Sequence, residues 1–232
     1  MGLEYLNSAE IKDNKEKISS VLKKKSNYFV RENIVIDLVK KYSQPENKIL
    51  EVGSGSGVLA RALLENNYKN LSLVDIDNYL PSEIKEKVNF NIVDLSFDRL
   101  PFEDKSFDLI LAIAIVEHLE NPFMFFRESA RVIKPGGKML VAIPHIFAWQ
   151  SRLKFLLKND LIGYTVSNNH IALFTKSIFE KIVLKDFKIV EEKYSRGYVK
   201  LFSKKIKFNN KYFNKRLGTK SLYVLERKKY GN

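Results

Sequence analysis

Between residues 48 and 145, short and continuously apolar runs take turns with stretches whose apolar positions recur at helical spacing. The runs are "KILEVG", "LSLVDID", "NFNIVDL", "FDLILAIAI" and "KMLVAIPH". They do not alternate polar with apolar residues, and parallel strands covered on both faces have this character. Between them, "GVLARALLENN", a short piece of "NYLPSEIKEKV" and "NPFMFFRESARVI" read as helices, the last with Asn121 as N-cap and Pro122 at its first position. That helix stops at "KPGG", where Pro135 and Gly136 suit the central positions of a type II turn. The alternation predicts an α/β protein with a doubly wound parallel sheet. Ahead of it, "NKEKISSVLKKKSNYFVRENIVIDLVKKY" sets Ile18, Val21 and Leu22, then Ile34, Leu38 and Val39, at helix spacing before "SQPEN" breaks the pattern. Residues 1–46 are therefore expected as an N-terminal helical cap on a domain spanning 47–232. Beyond Pro144 come an amphipathic insertion over 146–170, a helix "TKSIFEKIVLKD", and two late strands, "FKIVEEKYS" and "KSLYVLERK", around a basic segment 196–219.

Composition narrows the picture further. The 232 residues are 45% hydrophobic, enough for a real core. No cysteine is present, which excludes disulfides and thiolate metal sites. The polar start "MGLEYLNSAEIKDNKEK" does not resemble a signal peptide, and the longest apolar run, Leu109 to Val116, is too short to span a bilayer. The expectation is a soluble, cytoplasmic protein. The net charge of +13 is concentrated: residues 195–232 hold twelve Lys or Arg and one acid, a balance of +11. Such a tail suits an acidic partner, whether nucleic acid, an anionic membrane surface or a negatively charged substrate. It is equally what a chain rich in Lys, Asn and Ile throughout carries by compositional bias.

The candidate chemistry lies in "KILEVGSGSGVLARALLENN", where the first strand turns into the first helix. Glycines fall at Gly53, Gly55 and Gly57. A dinucleotide fingerprint needs its third glycine at position 58, which is Val58, and the phosphate-cradling pattern needs a Lys followed by Ser or Thr, which is missing. Alternating glycines let backbone pass close to a flat, non-phosphorylated ligand, and Glu51 just ahead suits a cationic one. Asp75 ends the second strand, where a carboxylate can accept both hydroxyls of a ribose. Asp94 ends the third, where a carboxylate can accept from an exocyclic adenine amine. Ile76 and Leu95, beside those acids, can sandwich the ring.

"ILEVGSGSG", "LVDID", "VDLSFDRLPFEDKSFDLI", "EHLENP" and "RVIKPGGKMLVAIP" resemble, in order and spacing, the motifs of class I S-adenosylmethionine-dependent methyltransferases over residues 48–145. The resemblance implies a Rossmann-like seven-stranded sheet of order 3-2-1-4-5-7-6 with the seventh strand antiparallel. It implies S-adenosyl-L-methionine as cofactor and S-adenosyl-L-homocysteine as product. Carried over by motif, Glu51, Gly53, Ser54, Gly55 and Gly57 hold the methionine part, Asp75 the ribose, and Asp94 with Leu95 the adenine. Ala112 and Ile113 line the cofactor near its sulfur.

Three histidines, His118, His145 and His170, are candidates for proton transfer, with His118 and His145 taken as the catalytic pair. In the ubiquinone-type relatives a Glu three residues before the "EH" pair joins in metal coordination; here that position is Ala114, so no metal is expected and Glu117 with His118 organises the loop. The insertion resembles the substrate lid of methyltransferases in surface-polysaccharide biosynthesis, with Phe147, Trp149, Phe155 and Tyr164 as an apolar cover or, equally, as packing. Tyr28 and Arg31 are candidates to close over the cofactor. The function expected is methyl transfer to oxygen or nitrogen of a small-molecule, sugar or lipid-linked acceptor. Two alternatives stand beside it: an RNA methyltransferase using the basic segment, and a non-catalytic cofactor-binding protein with peripheral membrane contact.

Overall fold

The computed structural model describes residues 34–164, 169–195, 197–201, 204–207 and 210–229. Its centre is a seven-stranded sheet built from β1 (Ile49–Val52), β2 (Leu71–Asp75), β3 (Asn89–Ile92), β4 (Phe107–Ile113), β5 (Ile133–Pro144), β6 (Phe187–Tyr194) and β9 (Lys220–Arg227). The order is β3-β2-β1-β4-β5-β9-β6. Strands β1 to β5 pair in parallel, and β9 runs antiparallel to both β5 and β6. The expected topology is therefore present, with β9 in the place of the seventh strand.

The central runs of β1, β4 and β5 bury both of their faces, while β3, at the sheet edge, leaves Asn89 and Ile92 exposed. Leu50 and Val52 of β1, Ile110 and Ala112 of β4, and Met139, Val141 and Ile143 of β5 belong to one core cluster. It includes residues of α4 (Pro122–Val132) and α6 (Lys176–Val183). Ile49, Leu109, Leu111, Leu140 and Ala142 belong to the other, with α1 (Ile34–Tyr42) and α2 (Val58–Glu65). The two-residue alternation of strand side chains explains the split. α3 (Ser82–Lys85) is the short helix expected between β2 and β3.

Local signals act as read at two points. Asn121 caps α4, its side chain accepting from the Met124 amide at 3.0 Å, with Pro122 at the first position. Gly136 has φ +83, which the second central position of a type II turn requires, but the segment continues into β5 with a register shift against β4.

At the N-terminal end the expected boundary shifts. Val35, Leu38 and Val39 of α1 are fully buried in the same cluster as β1 and α2, so α1 is part of the domain core. The rest of the expected cap, with Tyr28 and Arg31, lies outside the described residues. The insertion contains α5 (Trp149–Lys158), and the basic segment holds a hairpin of β7 (Tyr198–Leu201) and β8 (Lys204–Lys207) followed by α7 (Lys211–Leu217). Among the described residues no helix is long and apolar enough to cross a membrane.

Candidate active site

The chain reverses direction across the sheet between β1 and β4, and the crevice at the carboxyl ends of these strands is where open α/β sheets hold ligands. The turn out of β1 uses its glycines for conformation: Gly53, Gly55 and Gly57 have φ of +70, +52 and +69. Side chains rarely adopt this region. At Gly53 a Cβ would also lie 2.7 Å from the Ile115 side chain.

Glu51 follows Ile49 by two residues and so points to the α2 side of the sheet. It is only 6% exposed, and its Oε2 has no hydrogen-bond partner. Burial, reinforced by the carboxylate of Asp75, pushes its pKa up to about 8 despite a hydrogen bond from the Ala60 amide in the first turn of α2. A buried carboxylate with an unused oxygen is costly unless a cation or donor completes it. Ser54 is also buried with its hydroxyl unpartnered.

Asp75, at the tip of β2, accepts from the Gly55 amide at 2.7 Å and the Ile76 amide at 2.8 Å, one bond on each oxygen. A carboxylate oxygen has a second lone pair, so each can still accept a hydroxyl. Burial raises the pKa of Asp75, and the two amides oppose that shift. Asp94 accepts from the Ser96 amide at 2.9 Å through Oδ1, which leaves Oδ2 without a partner among the described residues. Beside these acids Ile76 is 60% exposed, whereas Leu95 is 7% exposed and lies in the core cluster with Val93, Leu100 and Val116. The expected sandwich is thus corrected to a single presented wall, because the apolar Leu95 side chain is better satisfied in the core than in the crevice.

Ala112 pairs with Val52 and Val141 at the end of β4, and Ile113 with Ala142. The next residue, Ala114, has φ +57. A non-glycine residue held there at a strand tip stores strain of the kind that collects at functional sites. Alanine carries no sequence signal for it.

After this turn Glu117 and His118 form a short 3-10 turn, Val116–His118. Glu117 is fully buried and acts as a tie: Oε1 meets Lys220 Nζ of β9 at 3.0 Å, and its carbonyl accepts from the Ile171 and Ala172 amides. His118 Nδ1 is 3.1 Å from the Asn169 carbonyl oxygen. A carbonyl only accepts, so in the neutral ring Nδ1 carries the proton and Nε2 keeps its lone pair. His170 packs edge-on against His118 with centroids 4.5 Å apart. Glu117, His118 and His170 bring one ligand atom each within 4.8 Å, a set that could hold a metal ion, although the Lys220 ammonium already neutralises Glu117.

His145 follows β5. Its Nε2 lies 3.0 Å from the Lys215 carbonyl oxygen and its Nδ1 3.2 Å from Ser221 Oγ, so Nε2–H donates and Nδ1 accepts. Burial lowers its pKa and keeps it neutral at pH 7. Both ring nitrogens are engaged. In the insertion, Phe147, Trp149 and Phe155 are exposed, while the Tyr164 hydroxyl donates to the Ala172 carbonyl.

Residues 50–141 match the family model for a methyltransferase domain. The matched stretch, about two fifths of the chain, is similar to that domain. A methyltransferase-family structure from Methanosarcina mazei covers 83% of this chain and 98% of its own, with a TM-score of 0.58 at 17% identity, a likeness of fold. Among sequence relatives, the ubiquinone biosynthesis O-methyltransferase of Rickettsia bellii is 24% identical over 148 residues, 61% of each chain. The tRNA U34 carboxymethyltransferase of Nautilia profundicola is 27% identical over 117 residues, 45% of this chain and 37% of its own. The chain thus spans less than two thirds of the length of these curated relatives.

The residues at the crevice fit S-adenosylmethionine, the methyl donor of the proteins whose fold the chain shares. The unpartnered oxygen of buried Glu51 is one that an ammonium would complete, and the lone pairs left on Asp75 and Asp94 match ribose hydroxyls and an adenine amine.

Proposed function

We propose that this chain moves a methyl group from S-adenosylmethionine to an oxygen or nitrogen of a small-molecule, sugar or lipid-linked acceptor. The observation that carries the reading is the buried, incompletely satisfied carboxylate of Glu51 beside three left-handed glycines. When bound, the cofactor supplies an activated methyl group on a positively charged sulfur. Glu51 and the glycine turn hold its ammonium, Asp75 accepts its ribose hydroxyls, and Asp94 Oδ2 accepts from the adenine amine. Ala112, Ile113 and the strained Ala114 form the wall at the reacting end.

His118 is the proton acceptor in this reading. Its Nε2 lone pair is available, and the Asn169 carbonyl keeps Nδ1 protonated. His145, with both nitrogens occupied, is a positioning residue joining β5 to Ser221 and to α7. The test is transfer of labelled methyl from S-adenosylmethionine to a panel of hydroxylated rings, sugars and RNA. With the acceptor that responds, His118→Gln lowers kcat by about a hundredfold and leaves S-adenosylhomocysteine affinity intact. Full activity in that variant contradicts the assignment.

An RNA acceptor is the second reading, favoured by the +11 balance over residues 195–232. It predicts co-purifying RNA that leaves steeply as salt is raised.

A further inference from the structure

A cavity of about 650 Å³ opens beyond the carboxyl end of β5, a volume suited to a small organic ligand. Its edge includes Ile143, Pro144 and His145, the residues that follow Ala142, and Ala142 is paired with Ile113 of β4. Adjacent strands lie about 4.8 Å apart. The cavity therefore begins beside the strand tip assigned above to the reacting end of the cofactor. Its floor is core: Phe174, Phe179 and Tyr223.

The charge on the rim is mainly positive. Arg152, Lys176, Lys215 and Arg216 line it against a single carboxylate, Glu192, whose Oε1 accepts the Tyr194 hydroxyl at 2.7 Å. Lys176 lies 3.7 Å from Glu180. Arg152, Lys215 and Arg216 have no carboxylate partner among the described residues. Arg152 donates through Nε to the Phe147 carbonyl, and the Arg216 guanidinium lies 4.3 Å from the centre of the Tyr212 ring, so neither is neutralised.

The two cations of α7 sit on a fixed backbone. A Cβ on Gly218 would fall 2.4 Å from the Ser195 carbonyl oxygen and 2.5 Å from that of Asn214, so the helix end is pressed against the end of β6. Asn214 Oδ1 accepts from the Gly197 amide at 2.8 Å, and the Lys215 carbonyl accepts from His145. Uncompensated cations held over an apolar floor raise the local affinity for an anion, and guanidinium groups match phosphate oxygens in geometry. At the same rim Trp149 and Phe147, 57% and 43% exposed, offer flat apolar faces to a ring.

We propose that this cavity is the acceptor subsite and takes a phosphate or diphosphate ester, its phosphate on Arg152, Lys215 and Arg216 and the flat or apolar part of its alcohol against Trp149 and Phe147. The proposal rests on the methyltransferase reading. A nucleotide and a prenyl lipid are two sources of the same diphosphate chemistry.

Calorimetric titration of the full chain with pyrophosphate, uridine diphosphate and farnesyl diphosphate, each with and without saturating S-adenosylhomocysteine, tests it. At least one diphosphate binds, and the Arg152→Gln/Arg216→Gln variant weakens it at least tenfold while S-adenosylhomocysteine affinity stays within twofold of the parent. Tighter binding of uridine diphosphate than of pyrophosphate identifies a nucleotide-linked acceptor; tighter binding of farnesyl diphosphate identifies a lipid-linked one. Lys215→Gln, a milder change, weakens binding about threefold and guards against misfolding of the double variant. The subsite is overturned if no diphosphate binds while S-adenosylhomocysteine does, if the variants bind diphosphate as the parent does, or if a short RNA binds the cavity residues more tightly than any diphosphate. Failure of S-adenosylhomocysteine itself to bind overturns the cofactor reading instead.

Discussion

At the scale of single residues, Glu51 carries the most consequence. Its pKa is about 8 in the folded chain against an ordinary 4.5, chiefly through burial. Between those values the folded protein binds more protons than the unfolded one, so this residue makes stability fall as pH rises from 4.5 to 8 and then level off. Glu51→Gln keeps an acceptor for the Ala60 amide and removes the buried charge. It is expected to stabilise the ligand-free protein at pH 8 by roughly 1–3 kcal/mol, a few degrees of melting temperature, while weakening S-adenosylhomocysteine binding. A cation that ionises Glu51 must displace its proton. S-adenosylhomocysteine affinity should therefore rise from pH 6 to 8, with release of close to one proton at pH 7, measured as a difference in binding heat between buffers of unlike ionisation enthalpy. A second residue, Ala114, pays for its φ of +57. Ala114→Gly should relieve that strain, and the expected outcome is a denaturation midpoint no lower than the parent's, with slower methyl transfer because the wall of the crevice loosens.

At the scale of elements, legibility followed the physical origin of each. The central parallel strands β1, β4 and β5 are legible because double-sided burial demands unbroken apolar runs, and α4 because Asn121 and Pro122 are chemistry specific to a helix start, whereas edge strand β3 is half polar and exposed at both ends. Removing that cap with Asn121→Ala should cost about 1 kcal/mol in urea unfolding without affecting ligand binding. β8 reads "KKIK", with one apolar residue, and α7 reads "KYFNKRL" in seven residues, so neither offers a period to find. What anchors α7 is a contact, not a pattern: the close approach of Gly218 to Ser195. Gly218→Ala should free the end of α7 and shorten amide-exchange protection in residues 212–217, although no propensity scale would flag it. In the candidate site, the glycines are legible because their left-handed backbone restricts residue type and Glu51 and Asp75 because carboxylates at strand ends are chemistry of a narrow kind, whereas the Glu117–Lys220 tie spans 103 positions and joins two unremarkable side chains.

At the scale of the molecule, one topological fact organises the rest. The sheet turns back on itself between β1 and β4, and the carboxyl ends there gather Glu51, Asp75, Asp94 and the glycine turn from separate stretches of sequence into one crevice. The antiparallel β9 then brings Lys220 under Glu117 and Ser221 against His145, so the strand farthest along the chain braces both histidine loops. The basic balance of the last 38 residues also acquires a location, since α7 sets Lys215 and Arg216 at the mouth of the cavity beside β5. The most direct measurement of the central claim is a pair of titrations of the full chain, with S-adenosylhomocysteine and with a nicotinamide dinucleotide, repeated on Asp75→Ala. Micromolar binding of S-adenosylhomocysteine alone, weakened about tenfold or more by the substitution, is the expected result. Uptake of the dinucleotide instead, or an affinity indifferent to Asp75, would contradict it.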